Sequence, residues 1–227
     1  MRAQSRHPVI LVTGFSVFPG APENPTAWAI AELERAKWQP DGARLSPHVL
    51  PVRYDLWDAA FAGLLARERP DAVVAFGLSA KATGFTLEAT ARNRIGPGRL
   101  DSAGASPSSD RIHETGPATR PSRLPLDEIA AALARQDIPH APSDDAGDYV
   151  CNLLFYRLMT HVSAARRPEI AGFIHVPYLD EQLPRLARAG LATSHLKTLT
   201  QAQLMAGTRA ILGLVAEALV ARVNAAG

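Results

Sequence analysis

The chain carries one cysteine, Cys151, in the stretch Gly147-Asp148-Tyr149-Val150-Cys151-Asn152. An apolar run opens directly after it with Leu153, Leu154, Phe155 and Leu158, a pattern that predicts a helix with the sulfur in its first turn. The partial positive charge of a helix N-terminus favours the thiolate, which is the reactive form. Further on, Ala171-Gly172-Phe173-Ile174-His175-Val176-Pro177 reads as a short buried strand with an imidazole near its end. A thiol at a helix start and a histidine at a strand end are the parts of a Cys–His nucleophilic pair. The same residues also fit plainer roles. A lone cysteine serves as a small buried hydrophobe, and a buried histidine can be a core side chain whose hydrogen bonds are met.

Spacing sorts the other histidines. His161 lies ten residues beyond Cys151 on the same expected helix, about 15 Å away along the axis, too far to take the thiol proton. His7, His113, His140 and His195 sit in polar or loop-like stretches and read as surface. His48, between Pro47 and Val49 in an extended segment, is not excluded by spacing. A third member of the site is available at Glu88. Residues 85–92 alternate, with Phe85, Leu87, Ala89 and Ala91 on one face and Thr86, Glu88, Thr90 and Arg92 on the other, so they predict a strand. A carboxylate there can accept from one imidazole nitrogen and turn the other toward sulfur. The pattern equally fits a solvated polar face. Arg92 shares that face but lies about 13 Å away, too far to pair with Glu88.

Competing chemistries find little support. HExxH, paired-histidine and CxxC spacings are absent, so neither a metal nor another cofactor is implied. There is no GxGxxG, GxxxxGK[ST] or GxSxG; Gly77-Leu78-Ser79-Ala80-Lys81 lacks the second glycine. A Ser79–Lys81 dyad has a spacing that arises commonly by chance. The formal charge of +2, from 24 basic and 22 acidic residues, is near balance. With Arg166-Arg167 and scattered arginines read as solvated surface, it indicates no nucleic-acid partner. One cysteine rules out an internal disulfide framework and suits a reducing, cytoplasmic setting. The apolar run from Val9 is broken by Gly14, Pro19 and Gly20, so it reads as a strand and not a signal segment. No run of about 18 apolar residues is seen, and no membrane span is expected.

These parts must be positioned by alternating elements. Strands are expected at 9–13, 45–52, 71–76, 85–92, 138–141 and 171–177. Helices are expected from Asn24-Pro25 through Leu33, at 56–67, at 126–135, after Cys151 and at 201–223. A chain of 227 residues, 47% of them hydrophobic, suffices for one domain with a substantial core. The order predicts a single three-layer α/β/α domain on a largely parallel, mixed sheet, with no repeat and no linker. Residues 93–122 are rich in Gly, Pro and Ser and read as a long irregular excursion, either a cover for the site or a tolerated insertion.

Three separated motifs then resemble one family. Val12-Thr13-Gly14-Phe15-Ser16-Val17-Phe18 with Asn24-Pro25-Thr26, Tyr149-Val150-Cys151-Asn152, and Gly172-Phe173-Ile174-His175-Val176-Pro177-Tyr178 resemble pyroglutamyl peptidase I, also called pyrrolidone-carboxylate peptidase. The likeness runs in unbroken order from about Val9 to Gln182 and includes Leu50-Pro51-Val52 and Gly77-Leu78. It implies a phosphorylase/hydrolase-like fold, with Cys151 as nucleophile, His175 as base and Glu88 as the orienting carboxylate. It further implies a peptide substrate with an N-terminal pyroglutamyl residue, no cofactor, and a homo-oligomer, dimer or tetramer.

Phe15 and Phe18 stand where the family has its pocket phenylalanines; core packing explains them as well. A flat uncharged lactam wants apolar walls and a few hydrogen bonds, and the chain shows no carboxylate cluster of the kind that holds a free ammonium. Lys81-Ala82 stand where the family carries Gly-Arg, Ala89 where it carries arginine, and residues 94–101 differ throughout. Lys81, on a loop expected to approach Cys151, therefore stands as a looser oxyanion or substrate contact, and slow turnover of simple amides is expected. Two other readings stay open: a non-catalytic or differently specific relative that binds a small lactam or peptide terminus, and a phosphorylase-like enzyme, which would need an anion cluster that the sequence does not display.

Overall fold

The apolar run at the start of the chain is β1 (Val9–Phe15), buried along its whole length. In the computed structural model, which describes residues 7–165 and 167–225, this strand lies inside a six-stranded sheet. Arg166 of the Arg166-Arg167 pair lies outside the described residues. The chain continues through α1 (Pro25–Arg35), β2 (Arg44–Leu50), a π-helical turn (Trp57–Phe61) running into α2 (Ala62–Glu68), and β3 (Ala72–Leu78). Next come β4 (Phe85–Glu88), β5 (Thr90–Arg92), β6 (Thr119–Pro121), α3 (Leu126–Ala134), β7 (His140–Ser143), α4 (Val150–Ala165) and β8 (Ile170–Val176). The last elements are β9 (Tyr178–Leu179), α5 (Leu183–Arg188), β10 (Thr198–Leu199) and α6 (Gln201–Ala225).

Strand order in the main sheet is β2-β1-β3-β8-β4-β7. Every neighbouring pair is parallel except β4 with β8, so β4 and β7 run against the other four. Side chains of a strand point alternately to its two faces, and here both faces are covered. Ile10, Val12, Val74 and Ile174 meet Ile30 and Leu33 of α1, Ile129 and Leu133 of α3, and Ile211 and Val215 of α6. Leu11, Val73, Ala75 and Phe173 meet Leu64 and Leu65 of α2 and Leu154, Phe155 and Leu158 of α4. The result is the expected α/β/α sandwich on a mixed, mostly parallel sheet.

Local chemistry sets several boundaries. Asn24 caps α1 by accepting from the Thr26 N–H at 3.1 Å, and Pro25 takes the first helical position, where no N–H is needed. The strand expected at 85–92 is broken at Ala89. Its N–H donates to the Ser143 carbonyl at 2.6 Å and its carbonyl accepts from Ser122 N–H at 2.8 Å. The chain thereby leaves the main sheet, and β5 pairs antiparallel with β6. The segment expected to be irregular thus contains a strand.

The excursion is fastened down. The buried Asn93 side chain holds Ile112, His113 and Gly116. The Tyr156 hydroxyl donates to the Pro117 carbonyl at 2.7 Å, Tyr149 to Leu100 at 2.8 Å and Tyr54 to Arg99 at 2.9 Å. Burial penalises the Asp101 charge. Backbone N–H groups of Tyr54, Ala103 and Ala105 outweigh that penalty and hold its carboxyl below the ordinary value. Residues 93–122 are an ordered cover beside the start of α4.

α6, with 25 residues, is long and apolar enough by length and composition to cross a membrane. Its apolar face is accounted for within the fold. Leu204, Ile211, Leu212, Val215 and Leu219 are buried in the same cluster as α1 and α3.

Candidate active site

Cys151 is the second residue of α4 and is half-buried. The first N–H groups of a helix have no partner within it, and the Cys151 N–H has no acceptor among the described residues. Gly147, with φ of +83°, supplies the left-handed turn that brings the chain into the helix. Across from the sulfur lies Gly77 of β3. A Cβ there would stand 2.7 Å from the Phe173 ring and 3.0 Å from Cys151 Sγ. The strand and the thiol approach this closely only because position 77 has no side chain. Gly77→Ala is therefore expected to displace the sulfur, lowering kcat at least tenfold. Overpacking of about 1–3 kcal/mol should also lower the melting point by several degrees. Steady-state kinetics and a thermal melt check both, and unchanged kcat would contradict the contact.

His175 of β8 pairs with Gly77 on one side and with Thr86 of β4 on the other, while Glu88 pairs with Phe173. Residues 173 and 175 share a face, so Glu88 lies beside the imidazole on the side of the sheet that α4 covers. His175 Nδ1 and Glu88 Oε1 are 2.7 Å apart. The histidine is 6% and the glutamate 1% exposed, which excludes the solvated-face reading of Glu88. With Nδ1–H donating to the carboxylate, Nε2 is the nitrogen left to serve Cys151. The second oxygen, Oε2, has no hydrogen-bond partner among the described residues. Phe173 meets the imidazole edge-on at 5.0 Å between centroids.

Burial works against a charged imidazole here. The hydrogen bonds and negative charges of Cys151 and Glu88 outweigh it and push His175 up to about 9. A pKa raised above the unfolded value of 6.5 contributes stability that is fully present below about pH 6.5 and lost as pH rises through about 9.

Cys151, His175 and Glu88 face a cleft of about 730 Å³ whose walls include Phe15, Phe18, Lys81, Tyr149 and Tyr178. Phe15 is nearly buried, with its ring 6.3 Å from Phe173, so it serves the core and the cleft floor together. Phe18 stacks at 5.8 Å on Tyr149, and Tyr149 meets Tyr54 edge-on at 5.7 Å. Lys81 is exposed at the rim, on a turn closed by Ala82 N–H to the Ser79 carbonyl at 3.0 Å. Ser79 N–H in turn donates to Val176, the residue after His175, also at 3.0 Å.

The other histidines stand apart. His48 lies on the edge strand β2, with Nε2 3.0 Å from Ser46 Oγ and two strands between it and β8. His161 meets the Trp57 ring, and His140 Nδ1 lies 2.9 Å from the Ile138 carbonyl. Asn152 is a part that motif reading assigned no task. Fully buried, it accepts from the Arg92 N–H at 3.0 Å and donates to the Arg92 and Arg94 carbonyls at 2.8 and 2.9 Å. It ties the cover to the first turn of α4. The signal for it was an amide placed inside an apolar helical run, where only a satisfied amide is tolerated.

The model of the pyroglutamyl peptidase family matches residues 8–212. The chain belongs to the pyroglutamyl peptidase family. The pyrrolidone-carboxylate peptidase of Clavibacter michiganensis subsp. michiganensis is 35% identical over 176 residues, 77% of this chain and 81% of that protein. Among solved structures, the pyrrolidone carboxyl peptidase of Pyrococcus furiosus superposes with a TM-score of 0.84 at 27% identity, covering 93% of this chain and 99% of its own. The pyroglutamyl peptidase I of Bacillus amyloliquefaciens superposes with a TM-score of 0.80 at 28% identity, covering 92% and 97%. The span matched by the pyroglutamyl peptidase family includes Glu88, Cys151 and His175 together with the cleft walls.

Proposed function

We propose that this protein is a cysteine exopeptidase that removes an N-terminal pyroglutamyl residue from peptides through Cys151, His175 and Glu88. The observation that carries this reading is the buried 2.7 Å contact of His175 with Glu88, set beside the one thiol of the chain. The Cys151 thiolate attacks the pyroglutamyl carbonyl, and the new oxyanion lies near the Cys151 N–H and the turn at residues 79–82. The imidazolium of His175, stabilised by Glu88, gives its proton to the departing amine. Neutral His175 then takes a proton from water, which hydrolyses the acyl-enzyme and restores the thiolate. Phe15 and Phe18 offer the apolar walls for a lactam that brings no charge of its own.

The test is cleavage of a fluorogenic pyroglutamyl amide. Turnover that iodoacetamide abolishes supports the reading, and absence of turnover by a folded, reduced protein sinks it. The raised His175 pKa adds a pH signature. Below about 9 the ring holds the proton needed by the leaving group, so kcat/KM should fall on the alkaline side with a midpoint near that value. An alkaline limb near the ordinary imidazole pKa of about 6.5 would mean that Glu88 and Cys151 do not hold the proton.

A further inference from the structure

The cleft is lined by four groups that carry or can carry positive charge, and three of them are already engaged. His175 is held by Glu88, Arg94 makes a two-pronged contact with Asp145 at 2.6 and 2.7 Å, and Arg99 pairs with Asp148 at 3.3 Å while lying over the Tyr149 ring. Lys81 has no ion pair or side-chain hydrogen bond among the described residues, and it is exposed. Its turn is tied to Val176, one residue beyond the imidazole that protonates the departing amine. That tie roots Lys81 beside the group that serves the leaving amine, whereas Phe15 ends β1 and Phe18 stands on the loop after it.

A minimal substrate of this class has an uncharged lactam at one end, so the one charge its main chain must bring is its terminal carboxylate. In a pyroglutamyl dipeptide that carboxylate carbon lies only about 2.5 Å from the scissile nitrogen, within reach of a side chain rooted beside His175. We propose that Lys81 reads a carboxylate on the residue that is released, foremost the free main-chain carboxylate of a pyroglutamyl dipeptide, and so biases the enzyme toward short acidic-ended substrates. The inference rests on the peptidase reading above. An ammonium suits the task because it is a point charge on a flexible stem and needs no fixed orientation of its partner.

The experiment compares kcat/KM for pyroglutamyl-alanine, pyroglutamyl-alanine amide and pyroglutamyl-glutamate α-amide, whose one carboxylate is on the side chain, in the parent, Lys81→Ala and Lys81→Arg proteins. The quantity read is the ratio of acid to amide. An exposed pair predicts that this ratio falls about three- to fivefold in Lys81→Ala, is largely kept in Lys81→Arg, and shrinks as salt is raised. The side-chain carboxylate of the third substrate separates the two sources: a loss confined to it, with the dipeptide ratio unmoved, overturns the main-chain assignment. A Lys81→Ala protein that loses activity equally on acid and amide overturns the inference, because that is the behaviour of an oxyanion contact. No turnover of any of the three by the parent overturns the peptidase reading and this inference together, whereas an unchanged ratio overturns the inference alone.

Discussion

Replacing Cys151 with alanine or serine is expected to abolish turnover of pyroglutamyl amides, with a loss of about 10⁶ in kcat of the size seen when a triad nucleophile is removed. The fold should survive, because the side chain is half-buried at a helix start and packs at the margin of the core between α4 and the sheet. Only a change of a few degrees in melting temperature is expected. As the chain has a single thiol, one equivalent of iodoacetamide should account for all of the inactivation, and EDTA should have no effect. Full turnover by a folded Cys151→Ala protein would remove the thiol from the mechanism.

Glu88 is expected to show an equally diagnostic separation of activity from stability. Its carboxylate is buried with one oxygen on His175 and the other without a partner among the described residues, so its desolvation cost offsets much of the stability gained by supporting the imidazolium. Glu88→Gln retains an acceptor for the Nδ1–H but removes the charge, so the imidazolium loses part of its support. We expect kcat to fall between about 10² and 10⁴, with the alkaline limb moving down from about 9 and little change in melting temperature. Glu88→Ala, which also releases the ring, should lie at the larger end. A loss of less than about threefold in both variants would make Glu88 a bystander.

The sandwich and the placement of Cys151 and His175 at a helix start and a strand end were legible for a simple reason. Buried strands such as Val9–Phe15 and Ile170–Val176 are written as unbroken apolar runs, and the sulfur stands where such a pattern changes from loop to helix. The burial of Glu88 was not legible. Period two shows that residues 86 and 88 share a face, but β8 and the start of α4, both more than sixty residues later, decide whether that face is wet. For the same reason the break at Ala89 was hidden, since the groups that draw its backbone aside are Ser143 and Ser122. The clamp made by Asn152 stood in plain view beside the cysteine. Its partners lie on Arg92 and Arg94, and no local pattern names them.

The two strands that run against the rest of the sheet also set how the enzyme fails. β4 and β7 are four residues each and close one edge, whereas β1, β2, β3 and β8 have seven. With fewer ladder bonds, that edge is where sub-global opening costs least. Glu88 rides on it, while Cys151 and His175 are rooted in long buried elements. We expect thermal inactivation to begin by untethering the imidazole, with the sulfur still in place and the helices still formed. Such a loss is expected to reverse on cooling, because re-pairing one short strand restores the carboxylate.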